Sequence, residues 1–237
     1  MNFFEGQVLA FDKPYRASSF NVVYGVRNTL SAHMGGRKIK VGHAGTLDPL
    51  ATGVLLICTG RATKRIEELQ QMGKEYVATL KLGATTASYD MEHPENAVFP
   101  TEHITEQLVL DTLQRFMGDI QQIPPVYSAC KIEGKRSYHL ARRGKEIQLK
   151  PKTLHIDEIE LLKYDMPEIT IRVSCGKGTY IRALARDIGE ALGSGAYLTA
   201  LRRIRVGNFL ADECMKPADF PAWLENVEIE MPDMEQA

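Results

Sequence analysis

Two strand-like segments, Leu154 to Leu162 and Glu168 to Cys175, follow one another with only five residues between them. Parallel neighbours need a crossover of a dozen or more residues, so a link this short points to antiparallel pairing. The second segment alternates Ile169, Ile171, Val173 and Cys175, and Lys74 to Leu82 alternates Tyr76, Ala78, Leu80 and Leu82 on one face. Period-two patterns of this kind suit a strand with one buried face. Further strands are expected at Val8–Phe11, Val54–Cys58 and Tyr197–Phe209. Helices are expected from Ser18 or Ser19 to His33, where Phe20, Val23, Tyr24 and Val26 recur at helical spacing, and at Arg61–Gln71, Thr105–Met117, Tyr138–Arg143 and Thr179–Leu192. Glu92–Glu102 reads as a polar loop, and Gln122–Lys152 is rich in turn signals. Strands outnumber helices and often adjoin, which predicts an α+β fold with a mixed, mainly antiparallel central sheet flanked by helices and loops.

With 237 residues, 44% hydrophobic and 25% charged, the chain has the composition of a globular protein with a sizeable core. Val54–Cys58 is the longest apolar run, far short of a membrane span. Met1–Glu5 has no basic stretch and no long apolar region, so no signal peptide is expected. Cys58, Cys130, Cys175 and Cys214 lie far apart without a C-x-x-C pair, the pattern of reduced thiols in a cytoplasmic protein.

The net charge of −1 hides a strong segregation. Lys13 to Arg65 carries nine cations and one acid, Asp48, while Lys131 to Lys152 carries eight cations and two acids. The acids gather between Ile66 and Ile120 and again after Ala211, where the last 26 residues sum to −7. Separate basic stretches fit a protein that follows a polyanion, although a solvated surface has the same composition.

The segment Gly42–Gly53 (GHAGTLDPLATG) packs three glycines, a proline and two threonines into twelve residues between apolar strands. Asp48 at its centre is held ionised by the surrounding cations and suits a nucleophile or base. The alternative is a turn cap before Pro49. Gly176–Thr179 (GKGT) fits neither phosphate-loop signature: the Walker order is wrong, and Ile181 stands where a dinucleotide loop needs glycine. Arg182 and Arg186 fall on one helix face opposite the apolar stripe, either for RNA phosphate or as a solvated basic face. The six histidines show no metal-ligand spacing, so no metal is expected. Two other classes remain open on the residues: an RNA-binding protein without catalysis, and a nucleotide-dependent enzyme using Gly176–Thr179.

Six motifs in order, spanning about Val8 to Phe209, resemble the bacterial tRNA pseudouridine synthase B family. They are Lys13-Pro14 to Ser18-Ser19, Gly42–Gly53, Lys74–Tyr76, Ile123–Lys131, Cys175–Arg182 and Leu201–Arg203. Arg16 stands where the family usually has glycine, so a differently shaped first loop is expected. The family commonly carries a C-terminal PUA RNA-binding domain, for which the residues after Ala211 are too few.

The resemblance implies the pseudouridine synthase fold over residues 1–211, an RNA-gripping insertion at about 123–152, and a short acidic tail at 212–237. It implies isomerisation of uridine-55 in the T stem-loop of tRNA, after base flipping, by a cytoplasmic monomer without cofactor. Asp48 would be the nucleophile, Arg182 its ion-pair partner, and Tyr76 the residue that stacks on the base. His43 would fill the space the base vacates, with Tyr180 and Leu201 lining the pocket. Lys131, Lys135, Arg142, Arg143 and Arg202 would meet the RNA backbone.

Overall fold

The computed structural model describes residues 1–128 and 149–230, together with the backbone of two short strands between them. In chain order the elements are β1 (Val8–Lys13), α1 (Ser19–His33), β2 (Val41–His43), β3 (Thr52–Thr59), a 3-10 turn (Gly60–Arg65), α2 (Ile66–Gln71), β4 (Lys74–Leu82), β5 (Ala84–Thr86) and β6 (Glu95–Val98). There follow α3 (Glu106–Gln114), β7 (Gly118–Gln122), β8 (Lys131–Ile132), β9 (Lys135–Arg136), β10 (Lys152–Asp165) and β11 (Glu168–Cys175). The chain continues with α4 (Ile181–Ala191), β12 (Ala196–Val206), β13 (Phe209–Leu210), two more 3-10 turns and α5 (Phe220–Glu225). Two compact units result, Met1–Lys74 with Arg202–Ala237 and Glu75–Leu201, and β12 contributes residues to both.

In the first unit β3 lies between β1 and β12, with β2 also paired to β3 and β13 to β12. The β1–β3, β2–β3 and β12–β13 pairs are antiparallel, and β3–β12 is parallel. β3 is apolar throughout because both its faces are covered. Leu55 and Ile57 join Phe11, Val22, Val23, Val26 and Leu30 on one side, while Val54, Leu56 and Cys58 join Ala62, Leu69 and Val206 on the other. Ser18 caps α1 by accepting from Asn21 N at 3.1 Å, and Asn21 returns the bond to Ser18 N. The expected apolar side of α1 is only half right. Val23 and Val26 are buried, whereas Phe20 and Tyr24 are exposed and stack on each other at 6.5 Å, since the period places them one step round the cylinder from the valines.

The second unit has the sheet order β12-β4-β11-β10-β7, with antiparallel β10–β11 and β7–β10 pairs. β4 alternates buried and half-buried residues along its whole length, as its sequence predicts. The expected mixed, mainly antiparallel sheet is therefore present.

Several expectations are corrected. Arg61–Gln71 divides into the 3-10 turn and the six-residue α2. The polar loop at 92–102 contains β6, which pairs with β5 through backbone bonds that need no apolar pattern. β7, polar in sequence, is held by its register with β10. After Ala211 the chain also enters the core: Phe220 and Leu224 are buried, and Phe220 meets Phe11 edge-on at 5.5 Å.

Candidate active site

In the first unit, the segment Ala44–Ala51 is fastened from three directions. Ser19 Oγ both accepts from Leu47 N at 2.8 Å and donates to Leu47 O at 3.0 Å. Lys13, wholly buried at the end of β1, donates from Nζ to the carbonyls of Ala17 (2.6 Å), Pro14 (3.0 Å) and Pro49 (3.2 Å). Arg203, 2% exposed on β12, donates from Nε to Val54 O at 2.8 Å and from Nη2 to Gly45 O at 3.2 Å. The residues flanking Asp48 are thereby clamped to β1, α1 and β12. Gly53 is required here: its φ is +103°, and a Cβ would stand 2.1 Å from Arg203 O.

Desolvation lowers the Lys13 pKa to about 8, against the pull of Asp48, while Arg203 adds to the lowering. Asp48 is half-buried and interacts electrostatically with the buried Lys13. His43, five residues earlier, ends β2 opposite Ile57.

Arg16 has φ +65°, the left-handed region that glycine adopts at no steric cost. Its amide donates to Pro49 O at 2.9 Å, so an arginine here keeps the first loop bonded to the segment around Asp48 in a glycine-like conformation. Arg202, expected at the RNA backbone, forks onto Asp12 at 2.9 and 3.0 Å.

In the second unit, Arg182 stands in the first turn of α4. The expected solvated basic face is corrected at this residue: Arg182 is 5% exposed, and its guanidinium donates to Ser88 O at 3.1 Å and Tyr127 O at 2.9 Å. Arg186, half-buried, donates to Ile123 O and stands over the Tyr89 ring at 5.1 Å. Asp90, which the sequence did not single out, lies 3.7 Å from Arg182 Nε. It accepts from Glu92 N and from Ser88 Oγ. Tyr89, at φ +60°, makes the turn that aims it. Tyr180 N donates to Oε1 of the buried Gln122, and Tyr76 is buried on β4. Leu201 is half-buried in the middle of β12. The side chains of Lys131 and Lys135, and all of Arg142 and Arg143, lie outside the described residues.

No group of potential ligands close enough for a metal occurs among the described residues, and no helix there is long and apolar enough to cross a membrane. Cys58, Cys175 and Cys214 form no disulfide among the described residues.

Residues 31–181 match the TruB family pseudouridylate synthase N-terminal domain, and residues 182–230 match the tRNA pseudouridylate synthase B C-terminal domain. The chain belongs to the TruB family of tRNA pseudouridine synthases. It is 63% identical to tRNA pseudouridine synthase B of Phocaeicola vulgatus over 230 residues, covering 97% of this chain and 98% of that one. Against the Bacteroides fragilis protein of the same name it is 61% identical, covering 98% and 100%. Among solved structures, a chain of a Cbf5-Nop10-Gar1 complex superposes with a TM-score of 0.73 at 30% identity, covering 96% of this chain and 58% of that chain. A chain of an H/ACA RNP bound to a substrate RNA containing 2'-deoxyuridine gives 0.68 at 29%, covering 95% and 56%. The chain thus spans just over half the length of these structural neighbours.

Proposed function

We propose that this enzyme converts uridine-55 in the T stem-loop of tRNA to pseudouridine, with Asp48 as the nucleophile. The observation that carries the reading is the clamped segment around Asp48. Its neighbours are bonded to three elements, and the buried Lys13 interacts electrostatically with Asp48. The high identity to proteins named tRNA pseudouridine synthase B supports tRNA as the substrate.

The reaction breaks the N1–C1′ bond, turns the uracil and forms a C5–C1′ bond. A proton leaves C5 and one is gained at N1, so nothing is oxidised or reduced and no cofactor is needed. Attack by Asp48 at C6 of the ring or at C1′ of the sugar satisfies the same balance. The target base leaves its stack before reacting, at a cost of a few kcal/mol. Arg182 is proposed to hold Asp48 ionised, and Tyr76 to stack on the base and assist proton removal. His43, Tyr180 and Leu201 are proposed to support the flipped base and the space it leaves. Lys131, Lys135, Arg142, Arg143 and Arg202 are proposed to hold backbone phosphates.

A tRNA transcript carrying tritium at uridine C5 tests this directly, since only the isomerisation expels that hydrogen. Release is expected from wild-type protein and is lost when position 55 is changed to cytidine. Asp48→Asn should bind tRNA and fold normally yet release no tritium. Release from the position-55 variant would move the target elsewhere, and turnover by Asp48→Asn would remove the assigned nucleophile.

A further inference from the structure

A cavity of about 570 Å³ lies in the first unit, reaching to Gly42, two residues before the clamped segment. It is lined by Arg27, Asn28 and Ser31 of α1, by Lys38 to Gly42 leading into β2, and by Thr63 and Ile66. Ile39 and Val41 are buried, whereas Lys38 and Lys40, alternating with them along the segment into β2, are exposed. Arg27 Nη2 donates to Val41 O at 3.1 Å, which holds its guanidinium at the wall. Three cations and no carboxylate line the cavity, and neither Lys38 nor Lys40 forms an ion pair among the described residues. Asn28 and Ser31 add hydrogen-bond donors. Thr63 does not, because its hydroxyl donates to Gly60 O.

We propose that this cavity is a second RNA contact, taking a backbone phosphate of the tRNA strand between Lys38, Lys40 and Arg27. The proposal rests on the tRNA reading above and deepens it. Ser19 at the start of α1 holds Leu47, next to Asp48, and Arg27 and Ser31 follow eight and twelve residues later. At 1.5 Å per residue Arg27 and Ser31 lie roughly 12–18 Å along the helix from Ser19, while Gly42, two residues before the clamped segment, lines the cavity from the other side. That span is a few nucleotides, within reach of the same substrate. A polyanion with phosphates at regular intervals is the ligand for which unpaired cations at that distance are complementary.

Paired substitutions on one helix separate a built site from a diffuse positive field. Asn28 and Ala32 are both exposed on α1, but only Asn28 lines the cavity. Asn28→Glu is expected to weaken tRNA binding at least tenfold at low salt, and Ala32→Glu less than threefold. The Lys38→Ala, Lys40→Ala double variant should flatten the slope of log affinity against log salt by roughly 0.7–0.9 units, the value for one lost phosphate contact. Equal effects of the two glutamates, or an unchanged slope, would overturn the proposal. Saturable binding of inorganic phosphate abolished by Asn28→Glu, with the tRNA slope unchanged, would assign the cavity to a free anion and overturn it too. Tritium release by wild-type protein is scored separately: its absence removes the isomerase reading, while the salt slope still decides the cavity.

Discussion

Asp90 lies 3.7 Å from Arg182, and each side chain is only 6% exposed. A buried cation and carboxylate at this separation depend on each other, because removing one leaves the other charged and desolvated. Arg182 also spans two backbone carbonyls, Ser88 O and Tyr127 O, so it fastens the 88–90 turn and the 127 segment to α4.

Arg182→Met is therefore expected to cost stability as well as turnover. Uncovering Asp90 and two carbonyls should lower the unfolding free energy by about 3–5 kcal/mol. Asp90→Asn keeps the shape and should cost less, with a fall in turnover from a less firmly held guanidinium. Chemical denaturation and single-turnover tritium release measure the two effects. An Arg182→Met variant as stable as wild type would contradict the structural half of this account.

The sheet was legible in the sequence because alternation and β-branching state it locally. β4 and β11 follow their patterns, and α1 carries its own cap at Ser18. β6 and β7 were not legible, since their pairing rests on backbone bonds that leave no apolar signature. The centrality of Asp48 showed in its cationic surroundings, but its fastening did not. Lys13 and Arg203 read as surface charge until their burial is seen, and nothing near Asp90 in sequence marks a partner 92 residues later. Aspartate and lysine are mostly exposed residues, so burial of either is decided by tertiary packing that no local pattern encodes.

The clamp around Asp48 predicts opposite outcomes at two unusual backbone positions. Gly53→Ala places a Cβ 2.1 Å from Arg203 O at φ +103°, which forces β3 and β12 apart. That variant is expected to fold poorly or not at all. At Arg16, by contrast, φ is +65° and the side chain has no hydrogen bond among the described residues. Arg16→Gly relieves a left-handed conformation worth about 1–2 kcal/mol, part of which is offset by the freer unfolded chain. A rise of up to about 1 kcal/mol in unfolding free energy is the expected result, and a fall would show that Arg16 is held by more than its backbone.

Lys13 gives a pH signature with two opposed readouts. Burial lowers its pKa to about 8, so above that pH the folded protein loses a cation beside Asp48 and one of three donated hydrogen bonds. Turnover should fall with a midpoint near pH 8. Stability should move the other way. The unfolded chain keeps the lysine proton up to its ordinary pKa of 10.5, so it binds more protons than the folded state and unfolding becomes harder as pH rises from 8. The gain is confined to about pH 8–9, because Cys58 and Cys214, both raised to about 11, then oppose it. Activity and denaturation profiles measured on one preparation distinguish this from alkaline unfolding, in which both would fall together.

The last prediction concerns the acidic C-terminal stretch. Its charge of −7 argues against contact with RNA, yet its aromatic residues are built into the first unit. Phe220 is buried against Phe11 and stacks on Trp223 at 5.7 Å, and Leu224 is fully enclosed. Met215 N donates to Ala10 O and Met215 O accepts from Asp12 N, so the stretch is also bonded to β1, the strand that carries Lys13. Phe220→Ala should cost about 3–5 kcal/mol by the usual toll of a large cavity in a packed core. Truncation after Cys214 removes Phe220, Trp223 and Leu224 together, uncovers Phe11, and should lower the melting temperature well before any effect on RNA is read. The acidic charge itself is separable: Glu225→Gln with Glu228→Gln, at half-buried or exposed positions, should leave stability within about 0.5 kcal/mol and shift tRNA affinity only at low salt. A tenfold loss of affinity in that pair at unchanged stability would make the stretch a recognition element instead of a structural one.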